Sequence, residues 1–74
     1  MKKSLLEIIN EIQVENGYEP FEKLNDNDDL INDVGLDSLD LALLTVMIEE
    51  VYGIDIFEKK IIRKIYEIKE LINE

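Results

Sequence analysis

Apolar side chains recur at helical spacing near the start of the chain. Ser4 and Glu7 have the spacing of a capping box, in which a hydroxyl and a carboxylate bind backbone N–H groups at a helix start. The apolar positions that follow share one helical face, and they are Leu5, Ile8, Ile9 and Ile12. Asn16 and Gly17 then provide a stop signal. The pattern predicts a first helix over about residues 4–16, which supplies one wall of a core.

A second apolar segment, residues 38–52, predicts the longest helix of the chain. Asp37 is a good N-cap, because its carboxylate can accept hydrogen bonds from backbone N–H groups of the first turn. Asp40 adds a second negative charge in that turn, where the helix dipole favours it. Gly53 is the natural residue to end the helix. We therefore expect Ser38 at the helix entrance, with its hydroxyl towards solvent.

This second helix is apolar on two faces. One face carries Leu41, Leu44, Ile48, Val51 and Tyr52. The opposite face carries Leu39, Ala42, Leu43 and Val46, edged by Glu49 and Glu50. A chain of 74 residues is too short to bury both faces, so we expect one in the core and the other on a partner surface. The alternative is that Leu39, Leu43 and Val46 pack beneath the preceding loop, with Glu49 and Glu50 forming a solvated edge.

The connection between the two helices, residues 17–37, is long for a compact domain and is therefore expected to have internal order or a purpose. Its apolar residues are expected to hold it against the helices, and they are Leu24, Leu30, Ile31 and Val34. The Asp/Asn cluster at residues 25–29 suggests calcium. An EF-hand loop starting at Asp26, however, would place Leu30 at a ligand position and Ile31 where the turn needs glycine. The sequence therefore predicts no dedicated metal site.

The last part of the chain is expected to be extended and then helical. Residues 54–56 predict a brief extended stretch, and residues 58–64 a short third helix. The apolar face of the last helix consists of Ile65, Ile68, Leu71 and Ile72. Residues 64–66 offer no Ser or Thr cap. The sequence therefore leaves open whether the third and fourth helices are separate or fused.

The charge of the chain is strongly acidic and unevenly distributed. Its net charge is −10, and residues 1–56 hold 14 acidic and 3 basic side chains. This charge argues against nucleic acid as a partner, because phosphates repel it. It suits steering towards basic patches of partner proteins, although solubility alone is a simpler explanation.

The length predicts one domain, residues 1–74, and no apolar run reaches membrane-spanning length. We expect a cytoplasmic monomer.

The residue types exclude most catalytic chemistry. The chain has no histidine and no cysteine. Ser38 therefore lacks the adjacent base that a serine nucleophile needs, and its surroundings lack the second glycine of a nucleophile elbow. No Gly-rich phosphate loop and no metal-ligand spacing occurs. We therefore expect a protein that is not an enzyme.

The segment around Ser38 resembles the acyl carrier proteins. Asp37-Ser38-Leu39 follows Gly35, and Glu49-Glu50-x-Tyr52-Gly53-Ile54-x-Ile56 comes after it, within a chain of carrier length. The resemblance implies an all-α bundle of three to four helices with a long first loop. It also implies that a phosphopantetheinyl transferase moves 4′-phosphopantetheine from coenzyme A onto Ser38, with Asp37 and Leu39 as motif neighbours. The arm then holds acyl groups as thioesters for delivery to partner enzymes.

The same resemblance identifies the expected partner surface and two departures from the family. The partner residues are expected to be Asp40, Ala42, Leu43, Val46, Glu49 and Glu50. Leu43 stands where carriers of fatty-acid synthesis have an acid, which favours a dedicated pathway. Phe57 stands where a proline is common.

The cargo stays open among fatty-acid, polyketide, aminoacyl and sugar-modifying groups. A small acidic helical adaptor without a prosthetic group is the alternative function.

Overall fold

The computed structural model describes residues 2–58 and 61–74. Its described residues form three helices: α1 spans Leu5–Glu15, α2 spans Ser38–Tyr52 and α3 spans Ile65–Leu71. α1 packs directly against α2, and the long loop and α3 close the remaining sides of the core. The structure confirms the predicted small all-α fold.

The first helix begins and ends through local interactions. The Ser4 hydroxyl accepts a hydrogen bond from the Glu7 N–H at 3.2 Å, and the Glu7 carboxylate accepts one from the Ser4 N–H at 3.4 Å. This is the predicted capping box. Gly17, just beyond the helix, has a φ of 84°, which a residue with a Cβ rarely adopts. The predicted first helix is confirmed.

The core is built from aliphatic side chains of every described element. Its fully or nearly fully buried members are Leu5, Ile8, Ile9, Ile12, Leu30, Val34, Leu36, Leu44, Ile48, Ile56, Ile62, Ile65, Ile68 and Ile72. From α2, Leu44 and Ile48 are buried, and Leu41, Val51 and Tyr52 pack against them at the edge. The inner face predicted for the second helix is therefore confirmed.

The long loop is held against the helices at several points. Leu30 and Val34 are buried as predicted, and Leu24 is partly buried against the core. The prediction for Ile31 is wrong, because this residue is exposed. The Asp29 carboxylate accepts hydrogen bonds from the N–H groups of Ile31 and Asn32, both at 2.9 Å. In the resulting turn Leu30 packs inward and Ile31 faces outward.

Two further contacts of the loop were not foreseen. The Asn10 side chain on α1 binds the backbone of Phe21 twice, donating to its carbonyl at 2.9 Å and accepting from its N–H at 2.7 Å. Near the other end of the loop, Leu30 donates to the carbonyl of Arg63 at 2.8 Å, and Ile65 donates to the carbonyl of Asp28 at 3.0 Å. The loop is thus paired with the segment that leads into α3.

This pairing corrects the expected third helix. Of the predicted residues 58–64, residues 59 and 60 lie outside the described part of the chain, and residues 61–63 are not helical. Arg63 and Lys64 pair with the loop instead of forming helical hydrogen bonds, and the backbone of Lys64 is extended. α3 is therefore a helix of its own that begins at Ile65, where the Glu67 carboxylate accepts from the Lys64 N–H at 3.1 Å. Leu71, expected on the apolar face of this helix, is partly exposed.

We expect the acidic charge to destabilise the fold measurably. In the described part of the chain, the ion pairs within 4 Å join Lys3 to Glu11, Arg63 to Asp29 and Lys69 to Asp26, so most carboxylates lack a cation at that distance. Repulsion between exposed charges is screened over about 10 Å at 0.1 M salt. The melting temperature should therefore rise with sodium chloride, and more steeply per unit concentration with magnesium or calcium.

Thermal melts followed by circular dichroism measure this effect. Glu22→Gln removes one exposed charge of the loop and should flatten the salt dependence slightly. A melting temperature that does not change with either kind of salt would show that repulsion among these carboxylates contributes nothing to stability.

Candidate functional site

Ser38 is the first residue of α2, and its side chain is exposed. The Asp37 carboxylate accepts from the Asp40 N–H at 2.8 Å, and the Asp40 carboxylate accepts from the Asp37 N–H at 3.2 Å. This reciprocal pair caps the helix around Ser38 without using its hydroxyl. The predicted helix start and the exposed serine are confirmed, as is the helix end at Gly53, whose φ is 71°.

The chain reaches Ser38 through a buried anchor. Gly35 has a φ of 87°, a conformation that residues with a Cβ rarely adopt. Directly after it, Leu36 is buried in the core, and its N–H donates to the carbonyl of Leu30 at 3.0 Å. The chain then leaves the core at Asp37. The buried Leu36 thus anchors the chain just before Ser38, which lies at the surface as the first residue of α2.

Asp40 has a structural role that the sequence did not reveal. The Asn16 side chain, at the end of α1, donates to the Asp40 carboxylate at 3.0 Å. This hydrogen bond, with lesser help from hydrogen bonds to Asp37, holds the pKa of the Asp40 carboxyl below its usual range. Asp40 therefore ties the end of α1 to the start of α2, next to Ser38. Its expected role in partner binding stays a prediction.

The outer face of α2 is open to solvent. Leu39 is 79% exposed, Val46 52% and Leu43 42%, and Ala42, Glu49 and Glu50 are exposed as well. The alternative prediction, that Leu39, Leu43 and Val46 pack beneath the preceding loop, is therefore wrong. A helix face with this much apolar surface in water suits a docking surface. Its function as one stays a prediction.

An apolar cleft lies beside the inner edge of α2. It has a volume of about 270 Å³, and its lining includes Leu30, Ile31, Leu41, Phe57, Ile61, Ile62 and Arg63. Leu41 is three residues after Ser38, which places it on the next turn of the same side of the helix. Sequence reasoning missed this cleft, because its walls come from segments far apart in the chain. In the sequence, the adjacent apolar pair Ile61 and Ile62 was the one indication of this cleft.

The side chains around Ser38 suit modification better than catalysis. The neighbouring carboxylates of Asp37 and Asp40 are engaged by backbone N–H groups, so neither is placed to activate a nucleophile. No cluster of three or more possible metal ligands occurs within residues 2–58 and 61–74. Among these same residues, no helix is long and apolar enough to cross a membrane. An exposed hydroxyl at a capped helix start fits a covalent attachment point.

Comparison with known proteins identifies the family. A search of curated proteins returned no match to this chain. A family model described as "Phosphopantetheine attachment site" matches residues 7–72, which includes all three helices except the first two residues of α1, as well as the whole loop before Ser38. Such domains carry 4′-phosphopantetheine covalently and act as carriers. With the match extending over most of its length, this chain belongs to the family of phosphopantetheine-attachment domains.

Proposed function

We propose that Ser38 bears the 4′-phosphopantetheine and that the protein is an acyl carrier. The chain has three aliphatic hydroxyl side chains. Ser4 caps α1, and the Thr45 hydroxyl donates to the carbonyl of Leu41 at 2.8 Å. Ser38 is exposed, and neither cap of α2 uses its hydroxyl. This contrast between the three hydroxyls is the observation that carries the proposal.

The surroundings of Ser38 favour a phosphopantetheine arm that extends into solvent over one that is bound to the protein surface. The Asp37 and Asp40 carboxylates beside Ser38 repel the phosphodiester of the arm, which offsets the attraction of the helix N-terminus for an anion. When attached, phosphopantetheine supplies a thiol at the end of a flexible tether. The acyl cargo is attached to that thiol. Tethering raises the effective concentration of that cargo at each partner enzyme. The capped start of α2 then serves as the attachment point for the tether.

The cleft beside Leu41 supports an apolar cargo. Its lining is mainly aliphatic and aromatic, and it includes Leu41, Phe57 and Ile62. Apolar chains gain about 0.8 kcal/mol for each CH₂ group removed from water. We therefore favour fatty-acyl or polyketide-type cargo over a charged aminoacyl group.

The alternative function is an acidic adaptor without a prosthetic group, and the exposed outer face of α2 is the observation that favours it. Intact mass separates the two functions. Co-expression with a broad-specificity phosphopantetheinyl transferase should add one arm to a carrier and nothing to an adaptor. The protein isolated from its native host should also show the mass of its cargo.

We further propose that residues 1–74 act as one domain, in the cytoplasm, where coenzyme A supplies the arm.

We propose that partner enzymes recognise the outer face of α2 through apolar contact as well as charge. Leu43 stands where fatty-acid carriers have an acid, and it is 42% exposed. A missing rim charge weakens steering towards basic patches. A leucine buried by a partner contributes up to about 1.5–3 kcal/mol. The presence of leucine in place of an acid at position 43 therefore favours a carrier of a dedicated pathway over one of bulk fatty-acid synthesis.

Leu43→Glu should therefore make the carrier a better substrate for fatty-acid enzymes. The measurement is the rate at which a malonyl transferase loads the holo protein, compared with a genuine fatty-acid carrier. Val46→Glu is the matched control, because it adds the same charge elsewhere on the exposed face. Wild-type loading equal to that of the genuine carrier, or an equal gain in both variants, would contradict this interpretation of Leu43.

A further inference from the structure

The apolar cleft beside α2 contains an ion pair in a wall that is otherwise aliphatic and aromatic. Among the described residues that line the cleft, Asp29 and Arg63 are the charged ones. A guanidinium nitrogen of Arg63 lies 3.5 Å from a carboxylate oxygen of Asp29. The Arg63 side chain is 64% exposed and the Asp29 side chain only 7%. The guanidinium therefore lies at the rim of the cleft, and the carboxylate is buried in its wall.

The buried Asp29 carboxylate does not depend on Arg63 for its stabilisation. One of its oxygens accepts hydrogen bonds from the N–H groups of Ile31 and Asn32, both at 2.9 Å. The hydrogen bonds from Asn32 and Ile31, ahead of any cation, hold the pKa of the Asp29 carboxyl below its usual range. The negative charge of Asp29 therefore stays stabilised by the backbone when Arg63 turns to another acceptor.

The Arg63 guanidinium has donors to offer to a ligand. An arginine side chain carries several N–H donors in a planar fork. The distance of 3.5 Å to Asp29 is longer than the roughly 2.7–2.9 Å of a charge-assisted hydrogen bond. An exposed ion pair with this geometry contributes little to stability. A hydrogen bond from Arg63 to a ligand in the cleft therefore costs the fold little.

The cleft is open to a chain that enters from solvent. Ile31 and Ile61, which both line it, are exposed. Leu41, on another part of the lining, is three residues after Ser38 in α2. An acyl chain that enters the cleft therefore lies between apolar walls with a strong hydrogen-bond donor, Arg63, at the rim.

We propose that Arg63 makes this cleft select acyl chains that carry an uncharged oxygen, as an oxo or a hydroxyl group. The aliphatic part of the chain packs against Leu41, Phe57 and Ile62, and the Arg63 guanidinium donates a hydrogen bond to the oxygen. Such selection rests on the proposed function, in which Ser38 carries the arm, and it names the class of cargo that the carrier takes.

Charge decides between an uncharged oxygen and a carboxylate on the cargo. The charge of Arg63 is already balanced by Asp29, whose carboxylate repels a second one placed at the rim. The net charge of −10 repels an anionic cargo as well. A carbonyl or hydroxyl oxygen accepts from the guanidinium without either repulsion. A saturated chain fills the cleft but offers no acceptor to Arg63.

Free acyl probes test this selection without the arm. The probes are N-acetylcysteamine thioesters of octanoic acid, 3-oxooctanoic acid and, through one carboxyl group, octanedioic acid, which have equal chain length and differ in oxygen and charge. The chain has two phenylalanines, of which Phe57 lines the cleft and Phe21 does not. ¹³C labelling of the Phe rings therefore gives a signal at the site and an internal control, which a Phe21→Leu variant assigns.

We expect saturable binding that shifts the Phe57 signals and leaves those of Phe21 in place. The 3-oxooctanoyl probe should bind about fivefold tighter than the octanoyl probe, equivalent to about 1 kcal/mol, because it gains a hydrogen bond to a charged donor. The octanedioic probe should bind no tighter than the octanoyl probe.

Two adjacent variants show whether Arg63 provides the selection. Arg63→Met and Lys64→Met each remove one cation, and of the two residues Arg63 alone lines the cleft. Arg63→Met should bind the octanoyl and 3-oxooctanoyl probes equally, and Lys64→Met should keep the preference of about fivefold. The comparison of the three probes on the wild type needs no variant, so it decides the matter even when Arg63→Met does not fold.

Four outcomes overturn the proposal. These are equal affinity of the wild type for the octanoyl and 3-oxooctanoyl probes, tighter binding of the octanedioic probe, a preference that survives in Arg63→Met, and Phe57 signals that no probe shifts. Because the probes are free in solution, none of these results depends on whether Ser38 accepts the arm. Failure of arm loading and failure of cargo selection are therefore separate results.

Discussion

Replacing Ser38 with alanine is expected to abolish loading of phosphopantetheine while leaving the fold intact. Alanine removes the oxygen to which the arm is attached. The helix start should survive, because its caps are made by Asp37 and Asp40 and not by the serine. Alanine also has the highest intrinsic helix propensity, so its introduction at the first turn carries no penalty. Intact mass after incubation with coenzyme A and a broad-specificity transferase measures loading, and circular dichroism measures the fold.

The other two hydroxyl residues provide the controls. Ser4→Ala should load normally, although it loses the cap of α1 at a cost of about 1 kcal/mol. Thr45→Ala should load normally as well, since the Thr45 hydroxyl is engaged with the Leu41 carbonyl. An arm found on either residue, or a wild type that stays unloaded where a known carrier is loaded, would contradict the assignment of Ser38.

The largest effect on stability is expected from Leu44→Ala. Leu44 is completely buried in the core, so its truncation removes apolar burial and leaves a cavity. Changes of this kind cost about 2–5 kcal/mol. Domains have a total stability of about 0.05–0.15 kcal/mol per residue, so a chain of 74 residues loses a large share of it. At about 4–8 °C for each kcal/mol in a small domain, the melting temperature should fall by 8 °C or more.

Leu43→Ala is the matched control for this variant. The two leucines are adjacent in α2, but Leu43 is 42% exposed, and its truncation leaves no enclosed cavity. Its cost should be within about 0.5 kcal/mol, as for most surface substitutions. Urea unfolding followed by circular dichroism gives both free energies. Equal losses in the two variants would mean that α2 presents a different face to the core.

Much of this architecture was predictable from short stretches of sequence. The ends of α1 and α2 follow from Ser4 with Glu7 and from Asp37 with Asp40, because each capping box joins residues only three positions apart. Gly53 ends α2 for a reason that is equally local. The exposed position of Ser38 follows directly from its place in that pattern.

The arrangement of the segments around the helices depended on contacts that no local pattern encodes. Arg63 and Lys64 were expected in a helix, yet they are not helical, because they pair with Asp29 and Leu30, more than 30 residues away in the chain. The contact between Asn16 and Asp40 spans 24 positions, and the apolar cleft is likewise lined by residues from distant segments.

The sequence by itself thus determined the helix ends, the two faces of α2 and the position of Ser38, since these depend on hydrogen bonds and apolar spacing within a few residues. Tertiary structure alone decided which side of the turn after Asp29 is buried, where α3 begins and which side chains line the apolar cleft. Propensity and periodicity do not predict those features, because the free energy that selects them comes from packing and pairing between distant segments.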